Sequence, residues 1–234
     1  MAKKTSAKRK SFWSKLKRIL LWMFIGQFIY ILLTWFINPP ITITQLVDLV
    51  KGYGLKRDYI SYSAMGSNIK LAVMSAEDQL FPDHNGFDVK AIKKAQKYNE
   101  KHPTKVRGAS TISQQTAKNV FLWQGGGYFR KGLEVYFTFM IETIWSKKRI
   151  LETYLNVAEM GPGIFGVQAA AKTYFNKDAK DLTRAEAAMI AACLRNPKKY
   201  SVKPLSKFVT AVSAKVLRQM NNLEGDPDIQ TLIK

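Results

Sequence analysis

The sequence holds one cysteine, Cys193, so no disulfide within the chain can hold the fold together. It lies in an Ala-rich apolar run and reads as a small buried residue. Histidine is almost as scarce, and no His pair or Cys cluster has zinc-ligand spacing. Strand signals are few: no sustained alternation, and no Asn-Gly or Asp-Gly turn joining two strand-like runs. There is no internal repeat, and no low-complexity segment outside the basic N-terminus. Three glycines, Gly125, Gly126 and Gly127, invite a phosphate-loop reading, but no Gly-Lys-Ser/Thr follows, so a flexible joint is expected. Acids are outnumbered, 17 Asp and Glu against 37 Lys and Arg, giving a net charge of +20. That balance suits nucleic acid, an anionic membrane or a phosphate-bearing substrate, and charge alone does not choose. With 47% hydrophobic and 12% aromatic residues, the chain has material for one compact domain plus an appendage.

The appendage comes first. Residues 1–18 carry eight Lys or Arg and no acid. Residues 19–37 follow as an apolar run whose only polar members are Gly26, Gln27 and Thr34. That is long enough to cross hydrocarbon, which takes ~20 residues. Trp13, Trp22, Tyr30 and Trp35 lie near its ends or along it, as interface anchors do. A cleaved signal peptide has a shorter apolar core, then small residues. Here Asn38-Pro39-Pro40 follows, so an uncleaved single-pass anchor is expected. The basic block puts the N-terminus in the cytoplasm and the remainder outside. Eight of the net positive charges sit in that block, leaving +12 for the rest of the chain. This excess suits anionic headgroups or pyrophosphates.

Residues 38–62 read as a membrane-proximal connector, a short helix and a Gly-containing turn rich in Ile, Leu, Val and Tyr, expected to dip into the headgroup region. Helices are expected over 68–77, 88–102, from Ser110 or Thr111, over 128–145, 147–158, 169–174, 187–194 and 207–220. Residues 105–108 form a short polar loop. Thr111-x-x-Gln114 and Thr183-x-x-Glu186 fit capping boxes. Glu142 interrupts the apolar run of 128–145, which reads as a core helix and not a second span. The tail, 223–234, shows little packing signal.

Three polar blocks carry chemistry. Glu77 and Asp78 end an apolar helix, with Phe81 and His84 shortly after. A carboxyl sheltered by apolar residues is harder to ionise and can serve as a general base. His84 alone also fits a structural hydrogen-bonding role. Ser110, Gln114 and Lys118 recur every four residues, flanked by Gln115 and Asn119. Amides with one lysine suit a sugar-phosphate ligand, although a solvated helix face remains open. Arg130 and Glu134 share a helix face bordered by Lys131, which by itself also describes an ordinary surface pair. Ser67-x-x-Lys70 matches a nucleophile motif but stands alone and reads as chance.

Taken in order, Glu-Asp-x-x-Phe-x-x-His-x-Gly (77–86), Gly-Ala-Ser-Thr-Ile-Ser-Gln-Gln-x-x-Lys-Asn (108–119) and Arg-Lys-x-x-Glu (130–134) resemble the first three motifs of the peptidoglycan glycosyltransferases. Ile-Leu-Glu-x-Tyr-Leu-Asn (150–156) with the glycines of 161–166 and Ala-Ala-Ala-x-x-Tyr-Phe (169–175), then Leu-Thr-x-Ala-Glu-Ala-Ala (182–188), resemble the fourth and fifth. The resemblance covers residues 45–205 and is to the monofunctional, membrane-anchored form. A bifunctional form needs several hundred more residues and a Lys-Thr-Gly motif.

The resemblance implies a mainly α, lysozyme-like, two-lobed glycosyltransferase domain (63–222) after one N-terminal transmembrane helix. It implies polymerisation of lipid II into β-1,4-linked glycan with release of undecaprenyl diphosphate. Glu77 is then the catalytic base and Glu134 the second catalytic carboxylate, on the donor side. Lys118, Arg130 and Lys131 are expected to hold the leaving diphosphate. Ser110, Gln114, Gln115 and Asn119 are expected to line the donor groove, and Asp78 and His84 to support the base. No organic cofactor is expected, and no metal site is assigned, with room for a divalent cation (Mg2+ or Mn2+) near Glu134. Expected partners are lipid II, the lipid-linked strand, the membrane and cell-wall or division proteins, and not nucleic acid. The expected location is the cell inner membrane, with a periplasmic catalytic domain. The rivals are a lytic transglycosylase or muramidase, which needs no cationic diphosphate site, and a non-catalytic cell-wall scaffold.

Overall fold

A computed structural model describes the backbone of residues 2–104 and 106–234 and the side chains from residue 12 onward, Lys105 excepted. The side chains of Lys3, Lys4, Lys8, Arg9 and Lys10 in the expected basic tail lie outside the described residues, as does Lys105 of the polar loop. The chain divides into two compact units, residues 1–37 and 38–234.

The first unit is one helix, α1 (Ala2–Phe36). The expected span began at residue 19, but the helix runs on through the basic block, because nothing between Ala2 and Ile19 breaks it. Its apolar part, Phe12–Phe36, is 25 residues long. At 1.5 Å per residue that is about 37 Å, enough to cross a hydrocarbon layer of ~30 Å. It is apolar on all sides and not along one stripe, the pattern of a helix surrounded by lipid. Among the described residues no other helix is long and apolar enough for this.

The second unit is mainly α, as expected. Its helices are α2 (Ile43–Val50), α3 (Ser67–Glu77), α4 (Val89–Lys101), α5 (Ile112–Phe121), α6 (Tyr128–Ile144), α7 (Lys147–Val157), α8 (Val167–Phe175), α9 (Arg184–Cys193), α10 (Lys207–Leu223) and α11 (Pro227–Ile233). Two packing groups build it. Helix α3 is wrapped by α9, α10 and α11, and α5 lies against α6 and α7. Ile69, Leu71, Ala72, Val73 and Met74 of α3 are buried on every side of that helix, which makes it the centre of the core. Each of these side chains larger than alanine contributes roughly 1.5–3 kcal/mol by leaving water. Cys193, at the end of α9, is a buried free thiol, and its Sγ donates to the Met160 carbonyl at 3.2 Å.

A small sheet was not expected. Strands β1 (Lys56–Arg57), β2 (Glu159–Gly161) and β3 (Ile164–Phe165) pair in the order β1-β3-β2, with β1 parallel and β2 antiparallel to β3. Gly163 makes the closure possible. Its φ is +68°, and a Cβ there would lie 2.2 Å from the Tyr53 carbonyl oxygen. In α7, Asn156 takes the place of a further strand: its Oδ1 accepts from Ile60 N at 3.0 Å and its Nδ2 donates to Ile60 O at 2.9 Å.

The tail is also ordered, as α11. Asp226 caps it and Pro227 opens it. Ile229, Leu232 and Ile233 are buried. Its last carbonyls are taken by Tyr62 Oη, on Leu232 O, and by Lys70 Nζ, on Ile233 O at 3.4 Å. Lys70 is only 2% exposed, and its ammonium lies 3.9 Å from the centre of the Tyr62 ring. That clasp gives Lys70 a structural employment, in keeping with a chance Ser-x-x-Lys match.

Helix α2 is inside-out. It buries Thr44, Gln45 and Asp48 and exposes Ile43, Leu46, Val47, Leu49 and Val50, the last at 80%. Asp48 is the inner tie: its Oδ1 accepts from Lys198 Nζ at 2.5 Å, and the same ammonium lies 3.6 Å from Glu159 of β2.

Candidate active site

Glu77 is the last residue of α3, the position where a helix disfavours an anion. It is half-buried, and its Oε2 accepts from Gln115 Nε2 of α5 at 2.6 Å. Burial raises its pKa above the usual carboxylate range, and neighbouring Asp78 adds to the rise. The Gln115 hydrogen bond opposes this, as do the charges of Lys118 and Arg195. Gln115 is itself oriented, since its Oε1 accepts from Tyr154 Oη of α7 at 3.3 Å. Neither Tyr154 nor Arg195 was anticipated as a site residue.

Asp78 and His84 form the frame beside it. The Asp78 carboxylate accepts from His84 Nε2 at 2.9 Å and from Ile112 N, the first amide of α5, at 2.9 Å. His84 Nδ1 accepts from Gly86 N at 3.1 Å, which leaves Nε2 to carry the proton donated to Asp78. Gly86 has φ +86°, and a Cβ there would meet Thr138 Cγ2 of α6 at 2.8 Å. The first motif is thus pressed against the helix that carries the third. Lys147 Nζ donates to the His84 carbonyl at 2.5 Å and to Glu142 at 2.8 Å, and Ser113 donates to the same Glu142 carboxylate. Asp78 and His84 therefore fix the loop that follows Glu77.

The cationic side stands on α5 and α6. Glu134 is 3% exposed, and its carboxylate is held between Arg130 Nη1 at 2.6 Å and Lys131 Nζ. Lys118 is half-buried, and it interacts electrostatically with Glu134, Arg130, Lys131 and Glu77. Burial, first, and the two like charges lower its pKa. Two glutamates and three cations thus share one electrostatic neighbourhood, with a surplus of positive charge. A cavity of about 540 Å³ opens on this side, lined by Ser110, Gln114 and Lys131, with Ile92, Gln96 and Asn99 of α4 as its far wall.

The polar ladder expected from Ser110 to Asn119 does not form as one face. The helix starts at Ile112, so Ser110 belongs to the loop before it and Thr111 is the N-cap. Gln114 closes the capping box with Thr111 and also borders the cavity. Gln115 turns to Glu77. Asn119 is buried, and its Oδ1 accepts from Gln124, which also bonds to Thr44 of α2. Asn119 is spent on joining α5 to α2.

Both Glu134 oxygens already accept from cations, and among the described residues no three His, Cys, Asp or Glu gather as a ligand set.

A hard-to-ionise carboxyl and a cluster of cations on one helical scaffold are parts that suit transfer of a sugar from an anionic carrier. The chain belongs to the transglycosylase family, whose model matches residues 44–221. Among curated proteins it is similar to the biosynthetic peptidoglycan transglycosylase of Mannheimia succiniciproducens, 55% identical over 181 residues, 77% of this chain and 74% of that protein. It is similar in the same way to those of Shigella boydii and Escherichia coli, each 53% identical over 178 residues, 76% of this chain and 74% of the relative.

Proposed function

We propose that this chain polymerises lipid II into β-1,4-linked glycan strands, releasing undecaprenyl diphosphate. The observation that carries this reading is the pairing of Glu77, sheltered and held by one neutral donor, with the cationic set of Lys118, Arg130 and Lys131. In the proposed step Glu77 takes the proton of the acceptor sugar's 4-hydroxyl. That oxygen forms a bond to the anomeric carbon of the donor strand, and the anomeric carbon–oxygen bond to diphosphate breaks with inversion. The leaving diphosphate keeps the electron pair, and its charge is met by Arg130, Lys131 and Lys118. Glu134 holds Arg130 and Lys131 in place for it.

Substrate and enzyme meet at a surface. The basic N-terminal block favours a cytoplasmic N-terminus and a catalytic unit on the periplasmic face of the inner membrane. Tethering by α1 keeps the site beside a lipid-bound substrate and raises its effective concentration there. The outward apolar side of α2 supports burial of that helix in the headgroup region.

The experiment is to incubate the full chain with purified lipid II and, separately, with finished polymer. Chain growth from lipid II, abolished in Glu77→Gln, is the expected result. Shortening of polymer without growth would replace this reading with a lytic one. Full activity of Glu77→Gln would remove Glu77 from its role.

A further inference from the structure

Helix α4 differs from every other helix of residues 38–234: none of its residues is fully buried. It is kept in place at its edges. Asp88 caps it through Ala91 N at 2.8 Å, and Asn99 pairs with the backbone of Arg107 on the following loop at 2.7 and 3.0 Å. The Arg107 guanidinium lies 3.6 Å from the centre of the Tyr98 ring. One side of α4, with Ile92, Gln96 and Asn99, walls the cavity of the cationic side.

The opposite side is a row of lysines. Lys90, Lys93, Lys94, Lys97 and Lys101 are spaced three or four residues apart, so they fall on one face within roughly 100° of arc and span about 16 Å of helix. All five are exposed, and among the described residues none is in an ion pair. The helix carries a single acid, Glu100, at the edge of the row. Like charges at these spacings repel and weaken a helix that already has little packing. An anionic surface laid along the row turns that repulsion into attraction.

We infer that the lysine face of α4 is an electrostatic docking surface for anionic phospholipid headgroups, a membrane contact separate from the α1 anchor and from the apolar face of α2. Charge complementarity and residue type argue for lipid. Each cation is a lysine, a compact hydrated charge with no fixed fork, which suits a fluid layer of headgroups better than a shaped acidic partner. Val89, 55% exposed, precedes Lys90 and adds an apolar side chain at the start of the row. Since the opposite side of α4 walls the cavity, docking holds that wall at the bilayer surface. The inference rests on the membrane anchor and not on the proposed reaction.

The test uses the full chain in nanodiscs, with hydrogen exchange read at the amides of α4. In discs containing anionic phospholipid, exchange should be about tenfold slower or more than in zwitterionic discs, because a lysine near an anionic surface contributes roughly fivefold in stability. Raising salt to about 0.5 M should erase the difference in the unaltered protein by screening. The triple change Lys93→Gln, Lys94→Gln and Lys97→Gln should cut the difference at least tenfold or to nothing, with an unfolding midpoint no lower than the parent's because no buried group is touched and like-charge repulsion is relieved. Equal exchange in both discs overturns the inference. So does slowing that appears in zwitterionic discs only when glycan polymer is added, which would assign the row to the polymer. Because exchange is read without substrate, loss of polymerisation and loss of docking are separate results.

Discussion

Two glutamates in one cleft have opposite surroundings. Glu77 ends a helix in a poorly solvated place and receives one hydrogen bond from a neutral amide. Glu134 sits within a helix and is clamped by a guanidinium and an ammonium. The first is difficult to keep charged and easy to protonate, which is what a base for a sugar hydroxyl requires. The second is committed to its cations and serves as a fixed negative centre that organises positive charge around it. Local sequence does not separate them, since both are acids on helices with polar neighbours. Packing separates them.

The largest effect is expected where the contrast is erased at Glu77. Glu77→Gln keeps the shape and a hydrogen-bond acceptor for Gln115 but removes the base. Polymerisation of lipid II should fall by ~10²–10⁴-fold. The fold should survive and gain stability. A carboxyl whose folded pKa is raised lowers stability as pH climbs above its unfolded value of about 4.3. The variant should therefore unfold at a higher temperature than the parent at neutral pH, with the gap closing near pH 4. Thermal unfolding at both pH values checks this, and a variant less stable than its parent at pH 7 would contradict the account of Glu77.

Next is the donor side. Arg130→Ala leaves Glu134 with Lys131 alone and removes the fork that best fits phosphate. Loss of one preorganised donor to a developing charge costs roughly 10²–10³-fold in kcat. The acid limb of the pH–rate profile should stay where it is, because Arg130 does not appear among the groups that set Glu77. A shift of that limb with little loss of rate would mean the two glutamates are not divided as described.

A third carboxyl, outside the cleft, sharpens the comparison. Glu159 is half-buried beside Asp48 and is pushed up to about 7, by burial first and by Asp48 second, with Lys198 opposing. One oxygen of each acid is buried without a donor, so a shared proton is what satisfies them. The folded protein holds that proton more tightly than the unfolded chain. Stability should accordingly fall by about 1–3 kcal/mol as pH rises from about 4.5 to 7. Glu159→Gln should flatten that slope in urea unfolding without moving the pH–rate profile, since Glu159 joins α2 to β2 and not the cleft.

These distinctions mark what the sequence could tell. Helices with caps and long apolar stripes were legible: Thr111 and Thr183 close capping boxes as their spacing predicts. Strands of two or three residues carry no alternation to read, so the sheet was not. Helix α11 had its signals, Asp226-Pro227 and Ile229 with Ile233, but seven residues give a weak period. In the site, residue types and order were legible, while direction was not. Asn119 was grouped with Gln115 by proximity, yet α5 turns one to α2 and the other to Glu77. Tyr154 acts on Glu77 through Gln115 and Arg195 through its charge, from 77 and 118 positions further along the chain, distances no local pattern spans.

The smallest effect is the most discriminating. Gln115 is the strongest influence holding down the pKa of Glu77, and Tyr154 orients it. Gln115→Leu keeps much of the volume and removes the donor. A hydrogen bond to a charged group contributes roughly 1.5–3 kcal/mol, so the pKa of Glu77 should rise further without it. The acid limb of kcat/KM should move up with it, while activity well above the limb recovers to within about tenfold of the parent. Tyr154→Phe should move the limb in the same direction by less, because it loosens Gln115 without removing it. If Gln115 served instead as a donor-groove contact, KM for lipid II would rise at every pH and the limb would stay still. The separation of the limb from KM thus decides whether Gln115 belongs to the glutamate that must exchange a proton or to the site built around the one that is clamped.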